Sequence, residues 1–218
     1  MKKLYFLLFI STTLFLSSCS KDDAAPDSKE TILLETDYTQ DGSKLWEGRT
    51  DEVSSSITND TYNLIYLSNS GTYYVTFPKT LPDSYVDAAL ESSIRINHTT
   101  KDGSGVSAGG IVWGMSSAVP GKDYRFMINT SGQYRISGYP DGSTFTPYTD
   151  WTLHEAVKKD DYNILRILAQ DKTLHFIING IEVYSMDAPN GGLLDDFGYL
   201  AYYKSYVQSK YFKVTAFK

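Results

Sequence analysis

Apolar residues recur at every second position along much of this chain, and turn signals interrupt the recurrence at short intervals. In "SYVDAALESSIRI", Val86, Ala88, Leu90, Ile94 and Ile96 fall on one side of an extended chain, while Asp87, Glu91 and Arg95 fall on the other. A helical path would scatter these residues around its axis, and an extended one aligns them, so the segment predicts a half-buried strand. "DYRFMINTSGQYRIS" predicts a hairpin. Tyr124, Phe126 and Ile128 alternate on one arm and Tyr134 and Ile136 on the other, with "NTSG" suited to a type I turn closed by a left-handed glycine.

Three more strands follow in "YNILRILAQDKTLHFIINGIEVYSM". Leu165 and Ile167, then Leu174, Phe176 and Ile178, then Ile181 and Val183 are the inward positions. Gln170-Asp171-Lys172 makes one turn and Asn179-Gly180 a two-residue hairpin turn. The Asp-Gly-Ser triplets beginning at 41, 102 and 141 are further turns, and their irregular spacing is not that of a calcium repeat. Only "WTLHEAVKKDD" offers a helical turn, with a loop as the alternative. Many short strands with regular turns predict an all-β chain, a two-sheet antiparallel sandwich of jelly-roll type.

The start of the chain is different. Residues 1–18 carry two lysines, then a short apolar stretch, then small residues, the pattern of a secretory signal. The stretch is shorter than the about 20 apolar residues of a membrane span. Leu16-Ser17-Ser18-Cys19 resembles the bacterial lipobox, which implies that Cys19, the single cysteine, becomes the lipid-modified first residue. With one cysteine there is no internal disulfide. Several acyl chains would anchor the protein stably. Residues 19–30 are charged and without apolar periodicity, so they form a flexible tether. Its Lys-Asp-Asp run resembles the surface-export signal of some Gram-negative lipoproteins. The expected location is therefore the outer membrane, facing the cell surface, with a periplasm-facing anchor as the alternative. Residues 31–218 form one domain of ordinary size. The formal charge of −6 falls to −8 once Lys2 and Lys3 leave with the signal, which excludes an electrostatic footprint for nucleic acid.

"GGIVWGM" at 109–115 resembles a strand of the concanavalin A-like lectin/glucanase superfamily. The hairpin that follows, the Trp-containing loop "YTDWT", "YNILRI", "LHFIINGIEVY" and the closing "FGYLAYY" and "YFKVTAF" are similar to that family's later strands in order. The resemblance implies a concanavalin A-like jelly roll. It is shared with glycan-binding modules, laminarinase-like domains and the 3-keto-disaccharide hydrolase group, so it carries fold further than function.

Retaining glucanases of that superfamily carry alternate carboxylates on one strand, spaced as nucleophile and acid. No such run exists here: Glu182 and Asp187 have opposite parity, and Asp160-Asp161 and Asp195-Asp196 are adjacent pairs. "GVSAG" at 105–109 lacks the strand-to-helix context of a nucleophile elbow. His98, His154 and His175 are widely spaced, so no metal site is expected. No cofactor is expected either. The resemblance admits a bound calcium, which no residue marks.

Sugar rings present apolar C–H faces that stack on aromatic side chains, while planar polar groups take their hydroxyls. The hairpin parity turns Arg125, Met127 and Arg135 outward together, and Tyr139, Tyr148 and Trp151 lie in the loop beyond. Tyr202, Tyr203 and Tyr206 crowd the last turn, where at least one must face out. The expected ligand-binding set is Arg125, Arg135, Tyr139, Tyr148, Trp151 and Tyr203, for a glycan or polysaccharide held without catalysis. Two alternatives stand beside it: a surface lipoprotein with a protein partner, and a hydrolase of the 3-keto-disaccharide type.

Overall fold

The computed structural model describes residues 30–39, 44–78, 81, 87–99, 106–115, 118–189 and 194–217. The signal, Cys19, the tether as far as residue 29, Val86, Gly105 and the triplets at 41 and 102 lie outside the described residues. In chain order the strands are β1 (Glu30–Thr36), β2 (Gly48–Arg49), β3 (Val53–Ile57), β4 (Tyr62–Tyr66), β5 (Thr72–Thr76), β6 (Asp87–His98), β7 (Ala108–Trp113) and β8 (Asp123–Asn129). They continue with β9 (Gln133–Tyr139), β10 (Thr146–Pro147), β11 (Thr152–Leu153), β12 (Asn163–Gln170), β13 (Thr173–Ile178), β14 (Ile181–Asp187), β15 (Gly198–Tyr202) and β16 (Ser205–Phe217).

Two antiparallel sheets divide these strands. The back sheet runs β14-β13-β12-β6-β16-β4-β3-β2, with β1 also on β16, and the front sheet runs β10-β9-β8-β7-β15-β5, with β11 also on β9. Consecutive strands thus sit in different sheets at several points, which is the crossing connectivity of a jelly roll.

The alternation read from the sequence is what closes the sandwich. Ala88, Leu90, Ile94 and Ile96 of β6 face in, and so do Leu165, Ile167, Leu174, Phe176 and Ile178 opposite them in β12 and β13. From the front sheet, Ile111, Trp113, Tyr124, Phe126 and Ile136 meet them, with Trp113 stacked on Tyr124 at 5.6 Å. Ser92 continues the inward row of β6 and is fully buried. Its hydroxyl lies 3.1 Å from Tyr199 Oη and 3.0 Å from Ser209 Oγ and donates to the Tyr211 carbonyl at 2.6 Å, so this polar group is satisfied inside the core. A bulge between Ser209 and Tyr211 shifts the parity of β16. Ser205, Val207 and Ser209 before it and Phe212, Val214 and Ala216 after it therefore all turn inward.

The turns follow their residue chemistry. Gly132 has φ 83° and Asn129 Oδ1 accepts from the Ser131 and Gln133 amides, closing β8 to β9. Asp171-Lys172 and Asn179-Gly180 are both two-residue turns with positive φ at each position, so the Gln170 turn is one residue tighter than expected. Ile181 departs from its expected inward place. It is 46% exposed, because it opens the edge strand β14 beside a turn and a bulge at Phe176/Ile177. "WTLHEAVKKDD" is the short strand β11 followed by a loop.

Candidate groove on the front sheet

The front sheet turns its second face away from the core. On β8 and β9 the outward positions pair across the strands: Met127 with Arg135, Arg125 with Ser137, and Asp123 with Tyr139. Val112 of β7 and Leu200 of β15 add an apolar floor with Met127, and Tyr74, Met115 and Trp151 pack against it. Gly110 lies between Met127 and Leu200 in register. A Cβ there would meet the Phe126 carbonyl oxygen at 2.0 Å, so only glycine allows this approach of β7 to β8.

The loop after β9 is laid along that strand and pinned at several points. Asp141 Oδ1 accepts from the Ser143 and Thr144 amides, β10 pairs with Ser137 and Gly138, and the Tyr148 and Thr149 amides donate to the Ile136 carbonyl. β11 then pairs with Gln133 and Tyr134. This path sends Phe145 and Trp151 to the outward face. It sends Tyr148 inward, where it packs on the core with its ring 6.4 Å from Tyr124.

The result is an unbroken row of four rings and two guanidinium groups. The Arg125 guanidinium lies 5.3 Å from the Tyr74 ring and 4.8 Å from the Tyr139 ring. Tyr139 meets Phe145 edge-on at 5.5 Å. The Arg135 guanidinium lies 4.8 Å from Phe145 and 5.9 Å from Trp151. All these separations fall within the reach of cation–π and aromatic contacts.

The two arginines are held differently. Arg125 is 7% exposed and donates through Nε and Nη2 to both oxygens of Asp123, each at 2.7 Å. Tyr74 Oη donates to the same carboxylate at 2.9 Å. Burial works against the charged guanidinium, and the hydrogen bonds to Asp123 together with the electrostatic attraction of Tyr74, Asp123 and Tyr139 more than offset it, so the pKa of Arg125 lies above its ordinary value. Burial, together with the Asp123 carboxylate, pushes the Tyr74 hydroxyl well above its ordinary value and keeps it a donor. Arg135, by contrast, forms no ion pair among the described residues, and its Nε is buried without a hydrogen-bond partner.

Three cavities open along this row. One of about 280 Å³ lies among Arg125, Arg135, Ser137, Phe145, Trp151 and Tyr202. The next, of about 340 Å³, shares Thr72, Arg125 and Tyr139 with it. The third, of about 380 Å³, shares Tyr74 and Asp123 with the second and reaches Met115, Lys122 and Asp196. Together they form one groove across the sheet, most enclosed at the Arg135 end.

Of the residues expected from sequence, Arg125, Arg135, Tyr139 and Trp151 are brought together here. Tyr148 belongs to the core side. Tyr203 lies in the turn between β15 and β16 against Tyr202, at 4.4 Å between rings, and Tyr202 is the one that lines the groove. The sequence reading missed Ser137, Tyr74, Asp123 and Phe145. Strand parity could have found the first two: Ser137 alternates with Arg135 and Tyr139, and Tyr74 alternates with the core-packed Tyr73. Among the described residues no three His, Cys, Asp or Glu side chains group to hold a metal. Ser107 of "GVSAG" donates to the Lys204 carbonyl at 2.8 Å and lies 3.1 Å from His98 Nδ1, which ties two loops together.

No family model matches the chain, and no curated protein matches it in sequence. Solved structures do match. The CBM2 module of the evolved Dit of Lactobacillus casei BL23 phage J-1 superposes with TM-score 0.61 at 10% identity, over 87% of this chain and 97% of that one. The endo-β-1,3-glucanase of Pyrococcus furiosus gives 0.60 at 9%, over 88% and 97%. The carbohydrate binding module CBM66 from Bacillus subtilis gives 0.53 at 12%, over 72% and 88%. At such identities the likeness establishes the fold, and the fold is a concanavalin A-like jelly roll.

Proposed function

We propose that this protein is a lipid-anchored surface lipoprotein whose front-sheet groove binds a glycan or polysaccharide without cleaving it. The observation that carries the reading is the unbroken Tyr74–Arg125–Tyr139–Phe145–Arg135–Trp151 row over three joined cavities. Rings interspersed with guanidinium groups supply what a sugar chain needs, namely apolar platforms for C–H faces and planar donors for hydroxyls. Likeness to carbohydrate-binding modules supports the same reading. The non-catalytic part is supported by the lack of paired carboxylates alternating on one strand of the groove: Asp123 is held by Arg125 and Tyr74, and Asp196 reaches the groove from a loop.

The test is a glycan-array screen of the purified protein, with hits followed by calorimetry and by assay for new reducing ends. Saturable binding without cleavage, weakened about tenfold or more by Trp151→Ala, is the expected outcome. A blank array from well-folded protein overturns the reading. The anchor is tested separately. Fatty-acid labelling in cells should vanish in Cys19→Ala, and protease added to intact cells should remove the domain if it faces outward.

A further inference from the structure

The enclosed end of the groove has a feature that general sugar binding does not require. Ser137 is fully buried, its hydroxyl has no hydrogen-bond partner among the described residues, and it lines the 280 Å³ cavity. Arg135 lines the same cavity. It has aromatic rings on Phe145 and Trp151 close to its guanidinium and, among the described residues, no carboxylate partner and no acceptor for its buried Nε. The other cation there, Arg125, is already neutralised by Asp123. The cavity is therefore lined by one uncompensated positive charge and by a residue with an unmet hydroxyl. An unmet buried polar group costs stability, and both the Ser137 hydroxyl and the Arg135 Nε are such groups. Both costs are relieved by a ligand that brings a negative charge and hydrogen-bonding oxygens.

The cavity is slightly below the roughly 300–1,000 Å³ typical of drug-sized ligand sites, so one sugar ring fills it. The net charge of the whole chain is negative, and at physiological salt that field is screened beyond about 8 Å, so the local guanidinium decides what enters. Resting on the glycan-binding reading above, we infer that the Arg135–Ser137 end of the groove selects an anionic sugar residue, a ring bearing a carboxylate or a sulfate ester. The planar fork of Arg135 takes the anion, the Phe145 and Trp151 rings flank it, and Ser137 takes a ring or anion oxygen.

Two matched pairs of probes test this by calorimetry on the purified protein: an oligogalacturonide with its methyl ester, and a sulfated galactan oligosaccharide with its desulfated form. The charged member of one pair should bind about tenfold or more tighter than its neutral partner, and the advantage should shrink as salt rises. The pair that shows it tells carboxylate from sulfate. Arg135→Gln should erase the difference, bringing the charged member's affinity down to that of its neutral partner in the same variant. Ser137→Ala should weaken the charged member several-fold without lowering the melting temperature, since the hydroxyl makes no bond among the described residues. A merely structural serine would show the reverse. Equal affinity within both pairs, binding of neutral glycans only, or a charge preference that survives Arg135→Gln overturns the inference and leaves the glycan-binding reading standing. Failure of every glycan overturns both.

Discussion

Both sheets bury one face in the same core, and their outer faces solve the problem of polar groups in opposite ways. On the back sheet the side chains satisfy one another. Arg166 Nη1 reaches Glu91 Oε2 at 3.2 Å, Tyr211 Oη donates to Glu91 Oε1 at 2.9 Å, and Tyr206 and Gln208 both donate to Asn63 Oδ1. Arg95 Nε is an unmet group there, and none of the three cavities reaches it. On the front sheet the polar groups stand among rings and open space, and Ser137 and Arg135 remain unmet where a cavity adjoins them. A face that closes its own hydrogen bonds is a surface. A face that leaves them open beside a cavity is prepared for something else. The front face also contains its own internal contrast, because Arg125 is locked to Asp123 while Arg135 is not.

That contrast gives the largest expected effect. Asp123→Ala strands the Arg125 guanidinium in a nearly closed site and removes the acceptor of Tyr74, so it should destabilise the fold by about 3–5 kcal/mol. Denaturant unfolding measures this, and glycan binding should fall with it. A change near zero would mean that Arg125 finds water or another acceptor, and the two arginines would then be equivalent. Gly110→Ala comes next. It forces a methyl group against the Phe126 carbonyl under the groove floor and should cost about 1–3 kcal/mol. The matching change Gly180→Ala meets nothing within 4 Å, but its φ of 83° penalises any side chain, by about 1–2 kcal/mol.

The sequence made one side of this comparison easy to see and the other hard. Period-2 alternation is a local property, so the strands, their inward residues and the β8–β9 hairpin were readable directly. So was the shared outward face of Arg125 and Arg135. Parity says which face a residue takes and nothing about what arrives there from elsewhere in the chain. Asp123 is only two residues from Arg125, yet nothing in the alternation marks it as its partner, and Tyr74 comes from β5, three strands away beyond β7 and β15. Phe145, Tyr148 and Trp151 share one loop whose direction is set by its bonds to β9, so their sequence did not reveal that Tyr148 alone turns inward. Ser137 was hidden for a different reason. A serine in a strand is unremarked until burial shows that its hydroxyl has no partner.

The same loop offers a pH test. The amides of Thr144 and then Ser143 hold the exposed Asp141 carboxylate well below the usual range. A depressed carboxylate pKa contributes stability that is present above its unfolded value, near 3.8, and is lost as pH falls toward its folded one. The wild-type protein should therefore lose stability below about pH 4 more steeply than Asp141→Asn, measured by thermal melts across that range. Identical slopes would mean that this turn does not hold Phe145 in place through its aspartate.

Arg166→Ala on the back sheet should have the smallest effect. Its pair with Glu91 is partly solvated, with side-chain exposures of 35% and 23%, so the loss should be about 1 kcal/mol or less. Glycan affinity should not change, because the side chain belongs to the face that satisfies itself and projects from the opposite sheet. A measurable drop in affinity would place ligand on the back sheet and dissolve the distinction between the faces. An unchanged affinity, beside the losses expected from Trp151→Ala and Arg135→Gln, would confine recognition to the side of the molecule where polar groups were left open.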